Sequence, residues 1–288
     1  MSIDSIDVWS DPRVKKLSAS VRGVNYGYWL AEPESTAVRA SIFLVHGYPD
    51  LSAAWRKQIP MLLDLGLRVV AIDCIGYGRT DAPSPIKLYT FRRVSDDIAE
   101  LARQMGLKNI ILGGHDWGGM VVQRCAQYHP QLVTHVFSIS TPYFPIESTY
   151  TPEGGMQFEN FARLAQTNLL TPRELDYYAA EFSRNGLWGP NNWYRTREVN
   201  FSDELDHFLE SSDGGELKPD PGIEQNILYI ATKRDRILTP EMCEASKKFC
   251  KNHHMKVVDA DHWALWENPV AVNQAIKDWL EKFALDAA

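Results

Sequence analysis

Apolar runs alternate with amphipathic segments along most of this chain. A short, continuous apolar run predicts a β-strand whose two faces are both covered by other parts of the protein. Such runs lie at 41–46, 67–73, 109–115, 133–139, 226–232 and 255–259. Amphipathic segments separate them, and the alternation predicts an α/β fold with right-handed crossovers and a mostly parallel sheet. We therefore expect functional loops at the C-terminal ends of the strands.

Shorter elements complete this predicted core. The strand-like stretches 17–21 and 26–30 predict an antiparallel hairpin on one edge of the sheet. A first helix is predicted through Trp55, Ile59 and Leu62, a second near 92–105, and a final helix begins at Asn268-Pro269.

The alternation stops between about 143 and 217. This segment has no convincing strand and carries helices that are separated by proline, glycine and asparagine. We therefore expect a helical cap, or lid, of residues 143–217, inserted after the sixth strand into a core of residues 1–142 and 218–288. Thr171-Pro172-Arg173-Glu174 has the spacing of a capping box and predicts the start of the clearest cap helix.

The predicted cap helix has one apolar stripe. Leu175, Tyr178, Ala179 and Phe182 recur at i, i+3, i+4 and i+7. This spacing predicts a buried face, and we interpret Tyr178 as a packing residue.

Composition narrows the class of protein. Hydrophobic residues make up 44% of the chain and charged residues 23%, which is typical of a globular protein. The net charge of −7 comes without a basic cluster, which argues against nucleic acid as a partner. The N-terminal residues resemble neither a signal peptide nor a membrane span, so we expect a cytoplasmic protein, either a monomer or a homodimer. The four cysteines lack metal-ligand spacing, and we expect free thiols, no metal and no cofactor; they are Cys74, Cys125, Cys243 and Cys250.

A carboxylate with a glycine two positions away on either side follows the apolar run 109–115. Gly114-His115-Asp116-Trp117-Gly118 has the spacing of the nucleophile elbow G-x-S-x-G, with Asp116 in place of serine. In that motif a sharp strand-to-helix turn lifts the central side chain above the sheet. An ordinary glycine-rich connection is the alternative, so other parts of the chain must decide.

Two further residues follow predicted strands in the order that this motif requires. Asp235 comes three residues after one strand, and His262 comes shortly after the last strand. The order nucleophile, acid, histidine predicts a triad of Asp116, Asp235 and His262. Asp259 and Asp261 compete as the acid, but a residue adjacent to His262 should point elsewhere.

A carboxylate nucleophile selects the kind of substrate. Attack by Asp116 on a saturated carbon leaves an ester, which water activated by His262 and Asp235 can hydrolyse. The substrates should therefore be epoxides or alkyl halides. The backbone N–H groups of Tyr48 and Trp117 are the predicted oxyanion hole for the hydrolytic step. His46, in the same loop as Tyr48, is interpreted as structural.

Several motifs resemble those of soluble epoxide hydrolases of the α/β-hydrolase fold. They are His46-Gly47-Tyr48-Pro49, residues 76–83, residues 113–119 and Asp261-His262-Trp263-Ala264. The resemblance spans nearly the whole chain and implies a small apolar epoxide and water as reactants. In the lid it extends to residues 189–195, which implies that Tyr194 donates a proton to the opening epoxide. Aromatic residues of the lid and of the loop after the last strand are the predicted pocket: Trp188, Trp193, Phe161 and Trp263.

The sequence departs from that family at a second lid tyrosine. The family carries this tyrosine early in the lid, and the corresponding segment here offers only Asn160 or Phe161. Either Tyr194 is the single activator, or Tyr150 or Tyr143 is the second one.

Two other functions compete with epoxide hydrolysis. A hydrolytic haloalkane-type dehalogenase would use the same triad. Many such enzymes, however, have asparagine at the position that Tyr48 occupies here. A non-catalytic ligand-binding protein of the same fold is the second alternative, and the intact triad argues for catalysis without proving it.

Overall fold

A twisted eight-stranded sheet organises the protein, whose computed structural model describes residues 3–34, 37–150, 169–210 and 216–285. Its strands are β1 (Val14–Val21), β2 (Val24–Ala31), β3 (Ala40–Val45), β4 (Leu67–Ile72), β5 (Ile110–His115), β6 (Val133–Ile139), β7 (Ile223–Thr232) and β8 (Cys250–Val258). The order across the sheet is β1-β2-β4-β3-β5-β6-β7-β8. β1 and β2 pair antiparallel, as do β2 and β4, whereas the strands β4, β3, β5, β6, β7 and β8 pair parallel with one another in that order. The predicted edge hairpin and parallel sheet are confirmed.

The helices of the described residues fall mainly between these strands. They are α1 (Ile59–Asp64), α2 (Phe91–Gln104), α3 (Trp117–Tyr128), α4 (Pro172–Asn185), α5 (Trp188–Asn192), α6 (Arg197–Glu204), α7 (Pro240–Ala245), α8 (Ala264–Glu267) and α9 (Pro269–Leu280). Helices α4, α5 and α6 lie between β6 and β7, where the lid was predicted. Short 3-10 turns lie at Ser52–Lys57, Ile86–Tyr89 and Trp193–Arg195, and a π-helical turn, Leu205–Leu209, extends α6.

Two predicted boundaries were wrong. The helix expected through Trp55 is a 3-10 turn followed by the separate helix α1, with Pro60 in its first turn. Strand β8 begins at Cys250 rather than near Met255. It is the edge strand of the sheet and half of it faces solvent, so its first residues do not form an apolar run.

The strand order creates a crevice between β3 and β5. The chain leaves β3 toward β4 on one side and leaves β5 toward β6 on the other side. Right-handed crossovers therefore put α1, which follows β3, and α3, which follows β5, on opposite faces of the sheet, so the loops after β3 and β5 diverge. Open parallel sheets bind ligands at such a switch point, beyond the C-terminal ends of the strands.

The cap helix α4 begins as predicted but buries a different face. Thr171 and Glu174 form both hydrogen bonds of the capping box. Leu175, however, is 58% exposed and Ala179 is also exposed, whereas Tyr177 and Tyr178 are buried. The predicted stripe is wrong at Leu175 and Ala179, whereas the prediction of Tyr178 as a packing residue is confirmed. The buried face is centred on Tyr177 and Tyr178, whose rings pack against Trp29 and Trp266 of the core.

Candidate active site

The elbow between β5 and α3 has the geometry that its glycines predicted. Asp116 sits at the apex with φ 54° and ψ −125°, in the left-handed region that a residue with a side chain rarely adopts. A side chain on Gly114 would collide with the carbonyl of Gly118, and one on Gly118 would collide with the backbone of Val45. The glycines therefore allow the close backbone approach that raises Asp116 above the sheet.

The loop after β3 contributes the first contact to Asp116. The backbone N–H of Tyr48 donates to Asp116 Oδ1 at 2.7 Å. Trp117 is the first residue of α3, so its N–H has no acceptor within the helix and lies beside the apex. Both predicted oxyanion donors thus belong to backbone segments that adjoin Asp116.

His262 connects the two predicted carboxylates. Its Nδ1 lies 2.7 Å from Asp235 Oδ2, and its Nε2 lies 3.4 Å from Asp116 Oδ2. Burial of the ring opposes its protonation, but hydrogen bonds and charge from both carboxylates prevail and raise the pKa of His262 to about 10. Burial alone would raise the pKa of Asp116, yet His262 and the Tyr48 N–H hold it below its ordinary value.

The structure separates the three candidates for the acid. Asp235 Oδ1 accepts the N–H groups of Ile237 and Leu238, which leaves Oδ2 toward His262. Asp259 is exposed and pairs with Arg234, and Asp261 accepts the backbone N–H of the neighbouring His262. Asp235 is therefore the acid that hydrogen-bonds the imidazole ring.

Two buried histidines hold the loops around this triad. His46 Nδ1 bonds the Gly47 carbonyl at 2.8 Å, and its Nε2 accepts the Cys74 N–H at 2.9 Å. His115 Nε2 lies 2.8 Å from the carbonyl oxygen of His262. Burial lowers the pKa of both His46 and His115 to about 4, so both rings are neutral. Their hydrogen bonds connect the loops around the triad. The structural interpretation of His46 fits these contacts, but sequence reasoning missed His115.

Tyr194 lies over the nucleophile from the lid side. Its ring packs edge to face against Tyr48 and against Trp117, with centroids 5.0 Å apart in each pair. Burial and the nearby charge of Asp116 raise its pKa, so the phenol is neutral at physiological pH. Trp193 is buried beside it and donates its indole N–H to the Ile75 carbonyl at 3.0 Å.

A cavity of about 320 Å³ opens beside Tyr194 and Trp117. Its walls also include Trp193 and Tyr150. Trp263 lies on another side of the site, where its ring packs edge to face against His262 at 5.0 Å. Tyr150, Trp193 and Tyr194 thus line one cavity and Trp263 contacts His262, but their roles as pocket and activator residues stay predictions.

Other predicted residues lie elsewhere. Tyr143 was wrong as an activator: its hydroxyl donates to Asp220 and accepts from Gln127, so it is used in the core. Trp188 was wrong as a pocket residue, because it is 52% exposed and packs on Arg195. Phe161 and Asn160 lie outside the described residues.

The remaining expectations concern the thiols and the membrane. All four cysteines are buried as free thiols, and burial raises the pKa of each of them. Within the described ranges, every helix is too short or too polar to cross a bilayer.

Comparison with known proteins identifies the family. The α/β-hydrolase fold family model matches residues 40–269. The chain is 31% identical to "Epoxide hydrolase srdG" of Neurospora crassa, over 95% of this chain and 97% of that protein. It is 25% identical to "Bifunctional epoxide hydrolase 2" of Sus scrofa, over 97% of this chain and 59% of that protein. The crystal structure of epoxide hydrolase A from Mycobacterium thermoresistibile superposes with a TM-score of 0.78 at 26% identity, covering 94% of this chain and 99% of that one.

The chain therefore belongs to the α/β-hydrolase fold family. Within that family, the curated relatives and solved structures group it with the epoxide hydrolases.

Proposed function

We propose that this protein hydrolyses epoxides to vicinal diols through an ester on Asp116. The observation that best supports this proposal is the position of the Asp116 carboxylate between His262 on one side and the Tyr48 N–H on the other, with Tyr194 above it. Similarity to epoxide hydrolases over nearly the whole chain supports the same reaction.

The first half of the reaction opens the ring. Asp116 Oδ2 attacks an epoxide carbon, the carbon–oxygen bond breaks, and the leaving alkoxide takes a proton from the Tyr194 hydroxyl. The opposite oxygen, Oδ1, remains on the Tyr48 N–H, which orients the carboxylate for attack. The products are an ester, a free hydroxyl on the substrate and a phenolate at Tyr194.

Formation of the ester prepares His262 for the second half. Asp116 loses its charge when it is alkylated, so His262 loses one of the two carboxylates that raise its pKa. Its proton then passes to the Tyr194 phenolate, which restores the phenol and leaves a neutral imidazole. The same event that makes the ester therefore makes the base that hydrolyses it.

Water then releases the diol. His262 takes a proton from the water as it attacks the ester carbonyl, and Asp235 stabilises the imidazolium that forms. The negative charge on the carbonyl oxygen is stabilised by the N–H groups of Tyr48 and Trp117. Collapse of the intermediate breaks the bond between Asp116 and the substrate oxygen, which takes the proton from His262, and it leaves Asp116 as a carboxylic acid. That acid proton passes to His262, which restores the carboxylate and the imidazolium, so the net reaction is the addition of one water to the epoxide.

Tyr150 is the better of the two predicted second activators. It borders the same cavity as Tyr194, whereas Tyr143 does not line that cavity. We propose that its hydroxyl also contacts the epoxide oxygen.

Single turnover in ¹⁸O-water tests the mechanism. With enzyme in excess over an aryl or aliphatic epoxide, the first label should enter the Asp116 carboxylate and not the diol. Label that appears directly in the diol would rule out the ester. Halide release from haloalkanes without diol formation from epoxides would favour the dehalogenase instead.

The sequence also predicts the kind of substrate, the location and the oligomeric state of the protein. A small apolar epoxide as the substrate fits the aromatic walls of the cavity. A cytoplasmic location and a monomeric or homodimeric state stay predictions.

A further inference from the structure

Helix α4 of the lid contacts the core through polar side chains on one face. Glu174 pairs with the buried Arg56. One turn later the Tyr178 hydroxyl donates to Asp50 Oδ1 at 2.7 Å. At the end of the helix, Asn185 Nδ2 donates to the carbonyls of Gly78 and Thr80, at 3.1 and 2.8 Å. Residues 174, 178 and 185 follow the helical repeat, so a single face carries all three contacts.

The middle contact reaches the turn that carries the first oxyanion donor. Residues 47–50 form a tight turn in which the Asp50 N–H donates to the Gly47 carbonyl at 3.2 Å. Within this turn the Tyr48 N–H donates to Asp116 Oδ1 at 2.7 Å. The lid therefore contacts this turn at Asp50, and the nucleophile contacts it at Tyr48.

Asp50 depends on Tyr178 for much of its hydrogen bonding. Its carboxylate is 1% exposed, and Oδ1 accepts from Tyr178 and from the Leu51 N–H at 2.8 Å. Oδ2 is buried without a hydrogen-bond partner among the residues that the structure describes. Burial raises the pKa of Asp50 to about 7, and the Tyr178 hydroxyl opposes that shift. A buried carboxylate with so few partners moves when one is lost, because an unpaired polar group seeks another donor.

We propose that Tyr178 is a positioning residue for the hydrolytic step: through Asp50 it holds the turn 47–50 so that the Tyr48 N–H points at Asp116 Oδ1. This inference rests on the proposed epoxide hydrolase reaction. It gives the lid helix a second role besides covering the site, because the docking of α4 then completes the oxyanion hole.

A packing role and a positioning role of Tyr178 predict different effects when its hydroxyl is removed. The Tyr178 ring stacks on Phe182 and packs edge to face against Trp266. Phenylalanine at position 178 keeps these ring contacts and removes only the hydroxyl. Tyr178→Phe therefore separates a packing role from a positioning role.

The two chemical steps should respond differently to Tyr178→Phe. Negative charge grows on Asp116 Oδ1 when water attacks the ester, so the Tyr48 N–H contributes more to hydrolysis than to ring opening. Loss of a whole oxyanion donor costs about 10²- to 10³-fold in rate. A misdirected donor should cost less, and we expect hydrolysis to slow by about 10-fold while alkylation changes by less than about threefold.

The experiment is a single-turnover measurement on the full-length protein with an aryl epoxide that the unaltered enzyme hydrolyses. Tryptophan fluorescence reports the formation and the decay of the ester, because Trp117 and Trp263 adjoin Asp116 and His262. In Tyr178→Phe the ester should accumulate, with slow decay and nearly unchanged formation. Tyr177→Phe is the matched control, since it alters the adjacent buried tyrosine, and both rates should stay as in the unaltered protein.

Variants of Asp50 test whether Tyr178 acts through it. In an Asp50→Ala background, Tyr178→Phe should slow hydrolysis no further, since the acceptor is already gone. Asp50→Asn keeps an acceptor oxygen and should retain most of the hydrolysis rate if Asp50→Ala proves too unstable to study.

The outcomes distinguish this inference from the function on which it rests. Equal ester decay in Tyr178→Phe and the unaltered protein, or additive losses in the double variant, would overturn the positioning role alone. Failure of the unaltered protein to form an ester with any epoxide would overturn the proposed function and this inference together.

Discussion

Replacing Asp116 by asparagine should lower the pKa of His262 by about 3 units. The carboxylate oxygen lies 3.4 Å from His262 Nε2, and at an effective dielectric constant of about 20 a unit charge at that distance stabilises the imidazolium by about 5 kcal/mol. One pKa unit corresponds to about 1.4 kcal/mol, and the carboxylate spreads its charge over two oxygens, so about 3 units is the expected fall. Asparagine keeps an acceptor for the Tyr48 N–H, so the elbow should remain folded.

Nuclear magnetic resonance of the imidazole nitrogens at pH 8.5 measures this difference. With its pKa at about 10, His262 should be an imidazolium in the unaltered protein at that pH, and it should be neutral in Asp116→Asn. Asp259→Asn is the control, because that carboxylate is exposed and pairs with Arg234. An imidazolium signal that persists in Asp116→Asn would refute the idea that esterification turns His262 into a base.

Three further variants test the site and its link to the lid. His262→Gln should form the ester and stop, because no base activates water; the intact mass should rise by one substrate molecule on Asp116, and an unmodified mass would contradict the mechanism. Tyr194→Phe should lower kcat/KM for epoxides by about 10²- to 10⁴-fold in steady-state assays, the usual range for a lost general acid; a change below threefold would exclude it as the donor. Glu204→Gln should lower the free energy of unfolding by about 3–5 kcal/mol, because it leaves the buried Arg124 without the carboxylate 2.7 Å away.

Urea denaturation measures the last effect. Glu100→Gln is its control, since Glu100 pairs with the exposed Arg103 on the surface and should leave the midpoint unchanged. Equal midpoints for Glu204→Gln and the unaltered protein would show that the pair between α3 and α6 adds nothing to stability.

Local sequence determined the elbow and the order of the triad. A strand, a glycine-bracketed turn and a helix are all encoded within about 20 residues, and the carboxyl ends of parallel strands meet at one edge of the sheet. Asp116, Asp235 and His262 could therefore be assigned to one site before any contact was known. The choice of Asp235 over Asp261 followed from similar reasoning, since residues that are adjacent in a loop point apart.

Sequence periodicity was less informative in the lid. The stripe was wrong at Leu175 and Ala179 because periodicity measures apolar content alone, whereas the buried face of α4 combines the rings of Tyr177 and Tyr178 with polar contacts to Arg56 and Asp50. Trp188 and Tyr143 were misassigned for a related reason. An aromatic residue can cover a surface cation or fill a core as readily as it can line a pocket.

What the sequence by itself determined was the chemistry: an acidic residue at the elbow, a histidine and a second acid, each after its own strand. Only the tertiary structure decided which lid residues reach that chemistry, because their partners lie more than 100 positions away and no local pattern relates them. The hydrogen bond from Tyr178 to Asp50 is the clearest case. Its donor and acceptor each look ordinary in their own segment, and they become a candidate part of the mechanism only where the lid meets the turn beside Asp116.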